Sequence, residues 1–118
     1  MRQLILGAAL AVLVPFAAQA QDAAAGEKVF ATCKACHAFG KNGVGPDLKG
    51  LIGRKAGTHE GYNYSAARKN SGLTWDSATF MEYIKDPKAK VPGNKMIFAG
   101  VKDDKKIKDL EAYLETQK

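Results

Sequence analysis

Cys33-Lys34-Ala35-Cys36-His37 decides how this chain is read. The stretch holds the only two cysteines of the 118-residue chain and one of its 2 histidines. Cys-x-x-Cys-His is the attachment pattern of a c-type haem. Two thiols one helical turn apart can each add to a haem vinyl group, and the imidazole that follows can bind the iron. Five consecutive residues therefore predict one covalent haem c, attached through Cys33 and Cys36, with His37 as the first axial ligand of its iron.

The N-terminus agrees with this reading. Met1-Arg2-Gln3 gives a positive start, Leu4 to Ala18 is almost wholly apolar, and Ala18-Gln19-Ala20 places small residues where a signal peptidase reads. The apolar run is short for a membrane span and is followed at once by Gln21-Asp22. Residues 1–20 are therefore read as a cleaved secretory signal, with a retained anchor as the alternative. Residues 21–118 are read as a single domain exported to the bacterial periplasm or an equivalent compartment, without stable membrane insertion. A chain that short buries only about two-thirds of its unfolded surface. A covalent haem would act as a large apolar piece of core, and without it the chain is expected to be largely unfolded, as small metal-dependent domains are.

The chain carries 18 Lys plus Arg against 12 Asp plus Glu, a net charge of +6. Loss of Arg2 with the signal leaves +5, and haem propionates would lower it further. Export and a haem motif argue against nucleic acid as the partner of these scattered lysines. A modest positive face for acidic redox proteins fits better. A merely soluble lysine-rich surface is the plainer alternative, and the domain is read as a monomer.

The mature chain shows no repeat and no period-two alternation long enough for a sheet. Four helical segments can be drawn. The first is capped by Asp22 and runs from Ala23 to about Cys33; a short one spans Ser65 to about Asn70. A third, capped near Asp76, runs to about Lys85, with Phe80, Tyr83 and Ile84 at helical spacing. The last begins after Asp103 or Asp104 and carries the stripe Ile107, Leu110, Tyr113, Leu114. Residues 38–63 are too rich in glycine for regular structure and should wrap something. Residues 86–102, with two prolines and two glycines, are read as a second irregular loop. The terminal helices are predicted to pack together, Phe30 against Leu110 and Tyr113, with Gly26 allowing close approach.

The sixth iron position could be taken by His59, Met81, Met96, a lysine or water. His59 reads most simply as an exposed loop histidine. Met81 falls in a predicted helix, where methionine is usually packing. Met96 lies in a loop flanked by Pro92-Gly93 and Gly100, able to cross the opposite haem face. The residues alone favour Met96 without excluding the others.

Longer stretches carry a resemblance. Gly26-Glu-Lys-Val-Phe30, the haem motif, Val44-Gly-Pro46-Asp-Leu, Gly50-Leu-Ile-Gly-Arg54-Lys-Ala-Gly57, Tyr62-Asn-Tyr64-Ser, Leu73-Thr-Trp75, Met81-Glu-Tyr83-Ile and Pro92-Gly-Asn-Lys-Met96-Ile-Phe-Ala-Gly100 resemble a class I cytochrome c. The likeness is to the mitochondrial type and its small soluble bacterial relatives, and it covers nearly all of 23–116. It implies an all-α fold of about four helices wrapped with irregular loops around one covalent haem. It implies Met96 as the second axial ligand and Pro46 as the carbonyl that accepts the His37 ring N–H. Tyr83 would sit beside the methionine sulfur, Arg54, Tyr64 and Trp75 would hold the buried propionates, and Phe98 would lie over the haem edge. Without the resemblance, Tyr83, Trp75 and Phe98 would read as packing and Arg54 as a surface charge.

The chain departs from that pattern in places. The segment between His37 and Pro46 is about three residues shorter than in the mitochondrial type. Arg68 stands where an asparagine near a buried water is common, and Asn94 where a threonine is usual. Ala89 and Asp103 replace two lysines of the docking face, while Lys88, Lys95 and Lys102 remain.

The function that follows is that of a soluble periplasmic one-electron carrier rather than an enzyme. It would shuttle electrons between respiratory, photosynthetic or dehydrogenase partners that dock transiently at Lys34, Lys88, Lys95 and Lys102. A haem peroxidase needs an open sixth site and a distal acid or base, and neither is visible. A haem-free thiol module lacks strand–helix alternation. A zinc site lacks finger spacing, because His59 comes 23 residues after Cys36.

Overall fold

The computed structural model describes residues 21–118, so the predicted leader, residues 1–20, lies outside the described residues. Five helices follow one another: α1 (Ala23–Phe30), α2 (Ala66–Lys69), α3 (Ser77–Lys85), α4 (Pro87–Lys90) and α5 (Asp104–Glu115). Each starts on a side-chain cap that satisfies otherwise unpaired backbone N–H groups. Asp22 accepts from the N–H of Ala24 and Ala25, Ser65 from Arg68, Asp76 from Thr79, Asp86 from Ala89 and Asp103 from Lys106.

Two boundaries differ from the sequence reading. α1 stops at Phe30 rather than near Cys33, because the chain tightens into successive turns. The Cys33 N–H donates to Phe30 O at 2.7 Å, and the N–H groups of Cys36 and His37 both reach Cys33 O, at 3.2 and 2.9 Å. The segment 86–102 is not wholly irregular, since its start forms the one-turn helix α4. Asp86 caps it, and Pro87 stands at the first helical position, where a missing N–H costs nothing. Pro92 disfavours helical geometry at Val91, and the turn ends there.

No strand occurs among the described residues. An isolated antiparallel bridge joins Lys55 to Thr74 and ties the glycine-rich loop to the segment before α3. Bonds from Gly53 N to Trp75 O (2.7 Å), Ala56 N to Leu73 O (2.8 Å) and Trp75 N to Arg54 O (2.9 Å) hold it.

The terminal helices pack against each other as predicted. Gly26 makes this possible: a Cβ there would overlap the Asp109 carbonyl and stand 2.9 Å from Tyr113 Cβ. Phe30 is buried between Phe39 and Tyr113, its ring centroid 4.9 and 5.4 Å from theirs. Asp109 Oδ1 accepts from Asp22 N at 2.9 Å and from Lys105 Nζ at 2.7 Å, joining the start of α1 to α5. The α5 stripe is buried at Ile107, Leu110 and Leu114, with Tyr113 half-buried. Phe80, Tyr83 and Ile84 of α3 complete that core. The hydrophobic pattern gave no sign that Asp109 and Glu111 are buried as well. Glu111 accepts from Ser77 Oγ at 2.9 Å, a polar tie between α5 and the start of α3.

Candidate haem site

The helices and loops leave a cavity of about 410 Å³ where the centre of a small domain is normally filled. Phe30, Leu48, Leu51, Phe80, Ile84 and Leu110 give it apolar walls. The turns after α1 carry Cys33, Cys36 and His37 to its lining. Both thiols are free, Cys33 half-buried and Cys36 exposed. Burial pushes the Cys33 thiol up, the Thr32 hydroxyl partly offsets this, and neighbouring Cys36 adds to it.

His37 Nδ1 stands 3.0 Å from Pro46 O. A carbonyl can only accept, so Nδ1 carries the proton and Nε2 keeps a free lone pair. Burial lowers the His37 pKa, against the Pro46 hydrogen bond and with help from the positive charge of Arg68, so the ring is neutral at pH 7. Gly45 gives the ring its room, since a Cβ there would run into the imidazole. Gly45 N donates to Cys36 O at 2.7 Å, which locks this approach in place.

Met96 lines the same cavity, whereas His59 and Met81 do not. Tyr83 donates its hydroxyl proton to Met96 Sδ at 3.4 Å, the contact expected for this tyrosine. Asn94, the departure from the family pattern, orders the loop. Its Oδ1 accepts from Met96 N at 2.7 Å, and its Nδ2 donates to Val91 O and Pro87 O at 3.0 and 3.2 Å.

Arg54, Tyr64, Trp75 and Phe98 also border the cavity. Arg54 is fixed by donation to Asp47 O at 2.8 Å and Lys49 O at 3.3 Å. His59 is not the exposed loop histidine of the simplest reading. It is half-buried, its Nδ1 3.3 Å from Arg54 Nη1 and its Nε2 3.7 Å from Asp47 Oδ2, and its backbone N–H donates to the Tyr64 hydroxyl at 3.2 Å. Asp47, absent from the sequence-derived site, is the buried hub of this corner. Burial alone would raise its pKa, but the backbone N–H groups of Lys49 and Gly40 and the charges of His59 and Arg54 outweigh that and hold the carboxyl below its ordinary range.

Lys34, Lys88, Lys95 and Lys102 are all exposed, but they differ. Lys95 borders the cavity and Lys88 a second recess beside Met96 and Phe98. Lys34 lies on the turn between the two cysteines, and Lys102 commits its ammonium to Lys85 O at 2.5 Å. Fully exposed Ile97 and largely exposed Val44 add apolar surface where they border the same cavity. The whole lining fits a haem: apolar walls of ligand-site volume, two thiols, a neutral imidazole with one free nitrogen, a thioether, and cationic and phenolic donors for acidic side chains.

Comparison with known proteins points the same way. The family model described as Cytochrome c matches residues 23–118. Cytochrome c2 of Blastochloris viridis is 56% identical over 117 residues, covering 97% of this chain and 92% of that protein. Cytochrome c-550 of Bradyrhizobium diazoefficiens is 60% identical over 95 residues, covering 78% of this chain and 70% of that protein. The solved structure of cytochrome cH from Methylobacterium extorquens superposes with a TM-score of 0.79 at 61% identity, covering 80% of this chain and 98% of that one.

Proposed function

The chain belongs to the cytochrome c family, and on that premise we propose that it is a periplasmic one-electron carrier whose single haem iron is ligated by His37 and Met96. As a family member it has one covalent c-type haem and is an electron carrier rather than an enzyme. The observation that carries the ligand assignment is the Tyr83–Met96 bond in a cavity that His37 also lines. When bound, the haem supplies a ferric/ferrous couple.

The residues of the chain do the rest. Cys33 and Cys36 hold the ring through thioether bonds. Pro46 keeps the His37 proton on Nδ1 and so leaves Nε2 for the metal. Tyr83 and Asn94 hold the Met96 thioether in one place, and a soft sulfur ligand favours the ferrous state. Arg54, Tyr64 and Trp75, which border the cavity, would receive the propionates, and Phe98 would shield the edge. The apolar walls exclude water and disfavour added positive charge, which again favours the reduced state.

Lys95, which borders the cavity with exposed Ile97 and Val44, Lys88, which shares a recess with Ile97, and Lys34 between the cysteines suit brief docking with acidic redox proteins in respiratory, photosynthetic or dehydrogenase chains. Lys102 contributes less, because its ammonium is tied to the backbone. Residues 1–20 act as the export signal, leaving 21–118 as a single monomeric domain. The positive start, the apolar run and Ala18-Gln19-Ala20 support the leader reading.

A haem stain after denaturing electrophoresis and an optical spectrum test the assignment. Covalent haem, a red charge-transfer band in the ferric protein, loss of that band in Met96→Ala and negligible peroxide turnover are expected. A ferric spectrum without the band sinks Met96 as ligand. Protein recovered from the periplasm should begin at Gln21, and its electron-transfer rate with an acidic partner should fall as salt rises.

A further inference from the structure

Among the described residues, one buried side-chain polar atom lacks a hydrogen-bond partner: Arg68 Nε. Arg68 comes from the one-turn helix α2, and its guanidinium carbon sits 4.6 Å from the Tyr83 ring centroid and 5.2 Å from that of Trp75. Its Nη2 donates to the Tyr83 hydroxyl. A guanidinium has no acceptor, so the Tyr83 oxygen must receive this bond, and the Tyr83 proton is left for Met96 Sδ at 3.4 Å. The bonds run in one direction, from Arg68 to Tyr83 to Met96.

The cavity around Arg68 has an unbalanced charge. Arg54, Arg68 and Lys95 line it, and among the described residues no carboxylate does. A half-buried cation whose Nε–H is itself buried and unpaired calls for an anionic acceptor, which must then come with the ligand. Haem brings two carboxylates.

We propose that Arg68 is a positioning residue with two arms: Nε–H takes a haem carboxylate, and Nη2 turns the Tyr83 hydroxyl onto Met96. The inference rests on reading this cavity as the haem site with Met96 as ligand. One cation then does two separable things. Its charge balances a carboxylate that would otherwise stabilise ferric iron, and its direction of donation secures the axial thioether. At an effective dielectric of about 20, removing a unit charge roughly 10 Å away changes an equilibrium on the order of tenfold. The ratio of reduced to oxidised protein at fixed ambient potential should therefore fall about tenfold without the cation, ~59 mV for a one-electron couple.

The test uses the holoprotein as wild type, Arg68→Gln, Arg68→Lys, Tyr83→Phe and the double variant R68Q/Y83F. The readouts are the redox titration and the pH at which the ferric red band is lost. R68Q should lower the reduced-to-oxidised ratio about tenfold and lose the band at lower pH. R68K keeps the charge, so its redox ratio should stay within about threefold of wild type. It should still lose the band early, because one ammonium cannot reproduce the planar fork. In the Y83F background, R68Q should move the band no further while still lowering the reduced fraction. An unmoved redox ratio in R68Q, or a band shift that adds fully to that of Y83F, overturns the proposal. Should R68Q fail to accumulate, side-chain NMR of the wild-type holoprotein decides: a slowly exchanging Arg68 Nε–H is expected, and rapid exchange with solvent overturns the carboxylate bond. A wild-type protein without the red band sinks the haem–Met96 reading itself and this inference with it. A normal wild-type band with unmoved variants sinks the inference alone.

Discussion

Replacing Gly26 by alanine should destabilise the holoprotein, although alanine is the better helix former. The new Cβ would overlap the Asp109 carbonyl oxygen and carbon and lie 2.9 Å from Tyr113 Cβ. These are mostly backbone atoms, so no rotamer change can clear them. α1 and α5 must part by on the order of 1 Å to restore ordinary contact, and a gap of that size forfeits a good part of the dispersion energy along the seam. The contacts at stake are the Phe30–Tyr113 and Phe30–Phe39 ring pairs, 5.4 and 4.9 Å between centroids, and the Asp22–Asp109 bond at 2.9 Å.

Overpacking of this kind costs about 1–3 kcal/mol, and the backbone clash puts it toward the upper end. Alanine returns roughly 1 kcal/mol of helix propensity. The net loss is then about 1–2 kcal/mol, and Tm should fall by roughly 5–15 °C for a domain of this size. Thermal melts of the holoprotein, followed by far-ultraviolet circular dichroism and by the Soret band, give the value. The ferric red band at room temperature should be unchanged, which would locate the loss in the helix seam rather than at the iron. A Tm equal to or above that of wild type refutes the close-approach argument, because that is the sign propensity alone predicts. Gly26→Val should lower Tm further.

Gly45→Ala should keep the covalent haem but disturb the low-spin ferric spectrum, since its Cβ would run into the His37 ring and displace it from the Pro46 carbonyl at 3.0 Å; an unaltered spectrum would count against that contact. Asp47→Asn should lower stability at neutral pH by about 1–3 kcal/mol through its hydrogen bonds to Gly40 and Lys49. Because the folded-state pKa of Asp47 is depressed, its contribution is full above the ordinary value of 3.8 and is lost as pH falls through the folded value. Denaturation curves of the variant and wild type should therefore converge in acid; a constant gap would show that the charge is not the cause. Glu111→Gln has the opposite sign. Burial raises the folded pKa of Glu111, so ionisation costs wild-type stability as pH rises above the ordinary value of 4.5. The glutamine variant should gain on wild type through that rise and hold the gain at higher pH, and urea titrations in which it loses ground would refute this.

Much of the architecture was legible in spacing alone. Asp22 and Asp76 announced their helices as caps, the last helix was placed after Asp103 or Asp104 and is capped by Asp103, and Ile107, Leu110 and Leu114 announced the buried face of α5. α4 was hidden because two prolines and two glycines in 86–102 dominated the reading, although Asp86-Pro87 is itself a helix start. Asp109 and Glu111 were hidden for another reason. A hydrophobic stripe says which apolar residues turn inward and is silent on carboxylates that find partners as distant as Asp22 and Ser77. Arg68 could be marked only as a departure, because its meaning depends on Tyr83 and Trp75, brought beside it by the Lys55–Thr74 bridge and the capped start of α3. The role of Asn94 was hidden likewise, since two of its three backbone partners, Pro87 and Val91, are the first residue and the C-cap of the helix the reading missed.

The polar groups of the cavity sit mainly on loops, and the helices supply mostly walls. What orders those loops is a set of side-chain bonds to backbone. Asn42 accepts from Asp47 N at 2.9 Å and donates to Glu60 O at 3.2 Å, Arg54 donates to the carbonyls of Asp47 and Lys49, and Asn94 ties Met96 to α4. Bonds of this kind have no period, which is why composition and spacing miss them. They also contribute about 1 kcal/mol each, too little for any one to govern folding, yet a shift of a few tenths of an ångström in such a bond re-aims a ligand. The helix seam is the reverse: Phe30, Ile107, Leu110 and Leu114 there are buried core, and neither His37 nor Met96 belongs to α1 or α5. Changes in the loops, Gly45→Ala among them, should therefore move the spectrum before they move Tm. Changes in the seam, Gly26→Ala among them, should move Tm before the spectrum. A protein divided in this way can keep one fold while its redox properties are adjusted at positions such as Arg68 and Asn94, where this chain departs from the family pattern.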